Sequence, residues 1–504
     1  MIPRIPPTLR FLALALLWAG HLALYLLFFQ PGPYEQADRL YATGRYYAAR
    51  AAYTQLARPY TDETIPAELL LRQGMIATVR GEYSTAEHTL WRALSRGLEG
   101  QAHGLAVLYL GHVLHERGSH DRAAEVLTRQ GTCTQPLEHC PYGGPRTVLQ
   151  ADWSMQQGEY AAARAGYQTA LQARLNTTWR TYAATRLALL EAATDPDAAV
   201  AYLDATRTWQ LFPAVPFSAA LLPPAAEVTQ QATQLRAILT ANPADRLQLL
   251  GQLYTEQGRY DLALDTFAQI PPDSPHIVSA RAYMAYLQWR SNPEQENLNS
   301  LEALVLAYPN QPAAQTLLAV AQLGEAGLHA TEPSTRTLAL LPPDRPDTAL
   351  AWALWYIQQR DYLQASLQYQ EALRTARPSQ VGRYALQAAR FYLESSYEIC
   401  TDGLPAAETA VRAMPNTADA WTVLAAVRYQ CSEFAAAIEA AEQARTLAQQ
   451  AGGQRADATF YLGAALAYMG DAAAARPLLI EAADLAPASI WRERAELLLA
   501  DLDE

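Results

Sequence analysis

One ten-residue pattern recurs along the chain and limits the folds that are open to it. It reads GRYYAARAAY from Gly44, GEYSTAEHTL from Gly81, GEYAAARAGY from Gly158 and GRYDLALDTF from Gly258. The glycines at 44, 81, 118 and 158 are separated by 37, 37 and 40 residues. Self-similarity at such a period predicts a stack of repeated units, because no single unit can bury its own apolar face.

Each unit reads as two helices joined at the glycine. An amphipathic run, such as LLLRQGMIATVR before Gly81, forms the first helix. The glycine accepts the positive φ that a tight turn between helices requires. In the second helix the Tyr, the Ala and the later large residue recur at i, i+3 and i+7, so they share one face. The small Ala predicts a close approach of the two helices.

The pattern resembles the tetratricopeptide repeat (TPR), most closely near the C-terminus. The segment ADATFYLGAALAYMGDAAAARPLLIEAADLAP from Ala456 carries most of the family signature, at Leu462, Gly463, Gly470, Ala475, Leu479, Ala482 and Pro487. A weaker unit runs from Val278 to Pro309, with Asn292 in place of the turn glycine. The resemblance covers eleven or twelve units and implies an all-α fold, a superhelix of helix-turn-helix units (an α-solenoid).

Two proline-rich stretches break the rhythm of the repeats and divide the chain. The stretch 208–224 is unusually apolar and reads as a hinge, which either packs over the end of the first block or grips a partner. The predicted organisation is a cytoplasmic N-terminus at 1–10, an anchor at 11–29, repeat blocks at 30–207, 225–324 and 348–489 separated by 208–224 and 325–347, and a charged capping helix at 490–504.

The anchor is predicted from an uncharged run between Phe11 and Phe29. A helix of this length spans roughly 28 Å, close to the thickness of the hydrocarbon core of a bilayer. A cleaved signal peptide is the alternative, although no small-residue cleavage site follows the run. Arg4 and Arg10 precede the helix, which favours a cytoplasmic N-terminus and an extracytoplasmic repeat region in a single-pass membrane protein.

Charge and motifs exclude several functions. The formal net charge is −12 and the chain contains no Lys, which argues against nucleic acid as a partner. The stretch HVLHERGSH does not have the H-E-x-x-H spacing of a zinc peptidase, because three residues separate Glu116 from His120. No nucleophile motif or phosphate loop is present. We therefore expect neither an enzyme, nor a cofactor, nor a metal site.

The four cysteines fall into two pairs. Cys133 and Cys140 share one loop, and a disulfide is expected there in an oxidising compartment, with free thiols as the alternative. Cys400 and Cys431 lie near the turns of consecutive units and would pin neighbouring repeats if their Cα atoms approach within about 7 Å.

The resemblance implies a concave groove that holds a protein or peptide partner. The residues expected to line it are Met75, His112, His115, Asp152, Gln252, Tyr286, Trp289, Arg290, Tyr429 and Tyr468. A partner in the assembly of an envelope complex is the first hypothesis. The alternative is an accessory protein for cell-surface polysaccharide synthesis or export, since aromatic residues can also stack on sugar rings.

Overall fold

The computed structural model describes residues 34–128, 140, 142–173, 175–205, 217–292, 295–309, 311–323, 342 and 344–502. In these ranges all regular secondary structure is helical. The predicted anchor at 11–29 lies outside the described residues, as do 208–216 of the hinge and most of the break at 325–347. Among the helices that the structure describes, none combines the length and apolarity needed to cross a bilayer.

The N-terminal helices form five consecutive hairpins. Their bounds are α1 Glu35–Ala42, α2 Tyr46–Ala57, α3 Ala67–Val79, α4 Tyr83–Ser95, α5 Gly100–Glu116, α6 His120–Thr128, α7 Gly143–Gln156, α8 Tyr160–Gln172, α9 Thr177–Glu191 and α10 Pro196–Ala205. The second helix of one hairpin packs on the first helix of the next, as α4 does on α5.

The remaining helices continue the same alternation. They are α11 Ala225–Leu239, α12 Pro243–Glu256, α13 Tyr260–Ala268, α14 Ile277–Ser291, α15 Gln295–Ala307, α16 Pro312–Leu323, α17 Pro346–Gln358, α18 Tyr362–Thr375, α19 Val381–Ser395, α20 Leu404–Ala413, α21 Ala418–Gln430, α22 Phe434–Gln450, α23 Ala456–Tyr468, α24 Ala472–Leu485 and α25 Ile490–Asp501. This stack of helical hairpins is the all-α solenoid that the repeat pattern predicts.

The predicted glycine turn is confirmed at the turn between α3 and α4. Gly81 has a φ of 72°, and its N–H donates to the carbonyl of Thr78. The next N–H, of Glu82, donates to the carbonyl of Ala77 at 2.9 Å, which completes a Schellman cap. The same turn forms at Arg360 without a glycine, and there φ is 58°.

The two helices of a hairpin contact each other at the small residues of the repeat. Ala86 and Ala365 are fully buried at the predicted contact position. On the facing helix, a Cβ added at Gly74 would stand 2.7 Å from Cγ of Leu90. The first helix therefore presents a notch that the large residue of the second helix fills, which explains why both residue types recur.

The described end of the hinge packs on the N-terminal hairpins. Ser218 is buried and accepts a hydrogen bond from Nε1 of Trp179 at 3.0 Å. The ring of Phe217 lies 5.8 Å from that of Tyr41. In residues 217–222 the chain thus covers the first block, in agreement with the packing interpretation of this segment.

The two ends of the solenoid touch. The carboxylate of Asp484 in α24 accepts a hydrogen bond of 2.6 Å from the N–H of Tyr47 in α2. The last helix, α25, is the segment predicted as a charged cap that closes the stack. Its Arg492 and Glu496 contact Glu82 and Arg80 at the turn of the second hairpin.

Candidate functional site

An aromatic surface lies at the turns of the hairpins α21/α22 and α23/α24. Tyr429, near the end of α21, packs against Phe434 at 5.8 Å and against Tyr468 at 5.7 Å between ring centroids. Phe434 and Tyr468 stack at 5.2 Å with an interplanar angle of 9°. Tyr468 is 62% exposed and its neighbour Met469 is 56% exposed. We call these four residues the C-terminal aromatic surface.

The surface continues inward to the last helix. The ring of Tyr461 lies 5.6 Å from that of Tyr429 and 5.5 Å from that of Trp491 in α25. The guanidinium of Arg494 stands 5.3 Å from the centre of the Trp491 ring. Burial raises the pKa of both Tyr429 and Tyr461, so their hydroxyls are neutral hydrogen-bond donors at physiological pH.

The positions of these rings in consecutive repeats explain why they lie next to one another. Phe434 follows the turn at the position where the decamer usually has Tyr, and Tyr429 and Tyr468 occupy the last turns of the first helices of two consecutive units. Consecutive hairpins stack in the same orientation, so equivalent positions come side by side. The result is a cluster of ring faces and hydroxyls at one edge of the stack.

A disulfide holds this edge to the preceding hairpin. Cys431, which caps α21 two residues after Tyr429, is bonded to Cys400, and their Cα atoms are 5.6 Å apart. Cys140 is also disulfide-bonded. Cys133, with which it was expected to pair, lies outside the described residues.

His115 belongs to a buried polar cluster rather than to an open groove. Its ring stacks on Trp153 at 4.3 Å, and its Nε2 donates to Oε1 of Gln156 at 2.9 Å. Nδ1 of His115 therefore accepts from Nδ1 of His120 at 3.1 Å. Burial lowers the pKa of His115, which keeps the ring neutral. In the described ranges no three His, Cys, Asp or Glu side chains gather as metal ligands do.

Asp152, another predicted contact, is enclosed by tyrosines. The hydroxyl of Tyr182 donates to Oδ1 at 3.1 Å, and the hydroxyl of Tyr167 donates to the same atom. Burial raises the pKa of Asp152, and the nearby Arg186 acts in the opposite direction. Its carboxylate joins α7, α8 and α9, which is a structural role.

Met75, Tyr286 and Trp289 are core residues, which corrects the prediction that they face a partner. They are 1%, 8% and 6% exposed and belong to the continuous apolar core. The rings of Tyr286 and Trp289 lie 6.1 Å apart within α14. The side chains of all three residues are therefore covered by the protein itself.

Three other predicted contacts, His112, Gln252 and Arg290, are half-buried on three different hairpins. Arg290 donates from Nε to the hydroxyl of Tyr260 at 3.1 Å. Burial lowers the pKa of His112. Of the ten predicted residues, Tyr429 and Tyr468 are the pair that the structure brings together at an accessible surface. Phe434 and Met469 complete this surface without having been predicted as contacts; Phe434 was predictable, because it occupies the decamer position that usually holds Tyr.

Neither a protein-family model nor a curated protein sequence matches the chain. Similar solved structures include the Cut9–Hcn1 hetero-tetramer of APC/C, at 12% identity and a TM-score of 0.35 over 96% of this chain and 99% of that one. Yeast Tom70 has 12% identity and a TM-score of 0.33, over 94% of each chain. A tetratricopeptide repeat protein from Parabacteroides merdae has 14% identity and a TM-score of 0.32, over 51% of this chain and 98% of that one.

Proposed function

We propose that the chain is a scaffold that binds a protein or peptide partner through the C-terminal aromatic surface. The observation that carries the proposal is the exposure of Tyr468 and Met469 beside Tyr429 and Phe434. Adjacent exposed rings and thioethers are characteristic of interaction sites, since Tyr offers a large rigid apolar face and the flexible thioether of Met adapts to the shape of a partner. The stacked hairpins supply a rigid platform for such a site.

We further propose that residues 11–29 anchor the scaffold in a membrane, with residues 1–10 in the cytoplasm and the repeats outside. The uncharged apolar run and the two preceding arginines support this topology. The bond between Cys400 and Cys431 suits an oxidising compartment. A partner in the same compartment would make the protein part of an envelope assembly.

The topology is tested by fractionation and proteolysis. Full-length protein should remain in the membrane pellet after carbonate extraction, and protease added to spheroplasts should digest the repeats. Repeats that survive until detergent is added would reverse the orientation. Mature protein beginning near Pro31 or Tyr34 would show that residues 11–29 were a signal peptide.

Partner binding is tested by a pull-down with the full-length protein in detergent, comparing two matched double variants. Tyr468→Ala with Met469→Ala removes exposed apolar groups from the surface, whereas Leu363→Ala with Leu367→Ala removes exposed apolar groups from α18. Only the first variant should lose the partner, and neither should lower the melting temperature appreciably. Equal retention by both would reject the surface. Retention on a glycan array that depends on Tyr468, without a protein partner, would favour the polysaccharide alternative.

A further inference from the structure

The segment between α19 and α20 has an unusual backbone. Ser396 and Glu398 have φ values of 56° and 42°, in the left-handed region that non-glycine residues rarely adopt. A π-helical turn, Ile399–Gly403, follows directly. A Cβ at Gly403 would lie 2.9 Å from Cβ of Tyr392, so this close approach requires glycine. Strained backbone and π-turns concentrate at functional sites.

A pocket of about 190 Å³ opens beside this turn, between α18, α19 and α20. This volume is smaller than that of most small-molecule sites and leaves room for the end of one side chain. Two buried rings, of Tyr369 and Tyr392, form part of its wall. Its polar lining residues are Gln370, Asp402 and Thr409.

Asp402 is the only ionisable carboxylate among the residues that line this pocket. Its Oδ2 accepts a hydrogen bond from Oγ of Ser366 at 3.3 Å, and the same Oγ lies 2.7 Å from the hydroxyl of Tyr392. No ion pair within the described ranges includes Asp402; the nearest pairs along the chain involve Arg390 with Asp419 and Arg428 with Glu408. The pocket therefore has a half-buried carboxylate that forms no ion pair with any described residue, while Nη2 of Arg412 donates to Oγ1 of Thr409 in the lining at 3.0 Å.

We propose that this pocket binds an arginine or lysine side chain of a partner protein. A guanidinium or ammonium group complements the carboxylate of Asp402, and the aliphatic stem can lie along the tyrosine rings. The side-chain amide of Gln370 offers an oxygen to a remaining N–H donor. The pocket shares no residue with the C-terminal aromatic surface, although the disulfide between Cys400 and Cys431 joins the π-turn to the hairpin that carries that surface.

The test uses full-length protein in detergent and calorimetric titration with acetyl-arginine N-methylamide. Acetyl-citrulline N-methylamide, which has nearly the same shape without the charge, is the matched ligand control. We expect the arginine probe to bind at least roughly tenfold more tightly. Asp402→Asn should abolish the difference, whereas Asp471→Asn, at an exposed helix cap, should preserve it.

A second variant protects the test against misfolding at the π-turn. Thr409→Arg places a guanidinium at the pocket wall from the stable helix α20, and it should block the probe while leaving the circular dichroism spectrum unchanged. Tyr468→Ala should not affect the probe, so failure of this site and failure of the aromatic surface are distinguishable. Equal binding of the citrulline probe, or unchanged binding by Asp402→Asn, would overturn the proposal. Methylguanidinium binding as tightly as the arginine probe would show a small free cation as ligand instead.

Discussion

Arg80 and Glu496 form a bidentate ion pair, at 2.7 and 3.1 Å, across 416 residues of sequence. Nε of Arg80 also donates to Glu82 at 2.9 Å, and Arg492 approaches both carboxylates. The side chain of Arg80 is 3% exposed. The second hairpin and the last helix are therefore joined by a charge network that is largely removed from solvent.

Glu496→Gln should destabilise the protein by about 1–2 kcal/mol, because Arg80 keeps its buried charge and loses one of two partners. The change is measured as a lower urea midpoint and as faster hydrogen exchange in α3, α4 and α25. Glu371→Gln is the matched control, since its partner Arg374 is exposed on α18. A midpoint equally unaffected in both variants would show that the ends of the solenoid do not depend on this network.

Asp484 should make stability depend on pH in an unusual direction. Burial raises its pKa from 3.8 to about 6, so the folded state favours the protonated form. The stabilisation that Asp484 contributes to the folded state is complete below about pH 4 and is lost as the pH rises through about 6. Asp484→Asn should remove this part of the profile, as seen in melting temperatures between pH 4 and 8. Parallel profiles for the two proteins would contradict the shift.

Arg360→Gly should stabilise the hairpin α17/α18 by about 0.5–1 kcal/mol. Arg360 has a φ of 58°, and relief of its left-handed conformation exceeds the entropic cost of an added glycine. The reciprocal variant is Gly258→Ala, where φ is 70° and no atom lies within 4 Å of the new Cβ. Gly258→Ala should lower the free energy of unfolding, measured by urea titration, by about 1 kcal/mol. Stabilisation by alanine at 258 would contradict the turn geometry.

Gly74→Ala should cost about 1–3 kcal/mol, because the added methyl would collide with the side chain of Leu90. Leu90→Val in the same chain should restore part of the loss by vacating the space. Gly453→Ala serves as control, since the nearest atom to its new Cβ is the carbonyl oxygen of Ala448 at 3.8 Å. The test is the melting temperature of the wild type, Gly74→Ala, the double variant and Gly453→Ala. An unchanged melting temperature for Gly74→Ala would mean that the two helices are farther apart.

The hairpins could be predicted because their determinants are local. The turn at Gly81 and the contact at Ala86 lie within a few residues of one another, and the decamer repeats both. Such short-range patterns report backbone geometry directly. The contact between Tyr429 and Tyr468 could be predicted for a related reason, since equivalent positions of adjacent repeats become neighbours.

The exposure of some side chains could not be predicted, because it depends on packing between units. Whether Tyr286 and Trp289 face solvent or a neighbouring hairpin depends on how far each unit rotates relative to the last, and α14 lies in the least regular part of the repeat. Whether Arg80 and Glu496 meet depends on the rotation accumulated over all the units between them. No pattern within one repeat encodes it, and the π-turn before α20 breaks the repeat altogether.

The contact between the ends has a consequence for how such a chain can evolve. An open array of helical hairpins tolerates the duplication or loss of one unit, since only the neighbouring interfaces change. Here a gained or lost unit would displace Asp484 from Tyr47 and Glu496 from Arg80 together. The contacts between the ends therefore constrain the number of units, and we expect length variation to be confined to the turns and to the breaks between blocks.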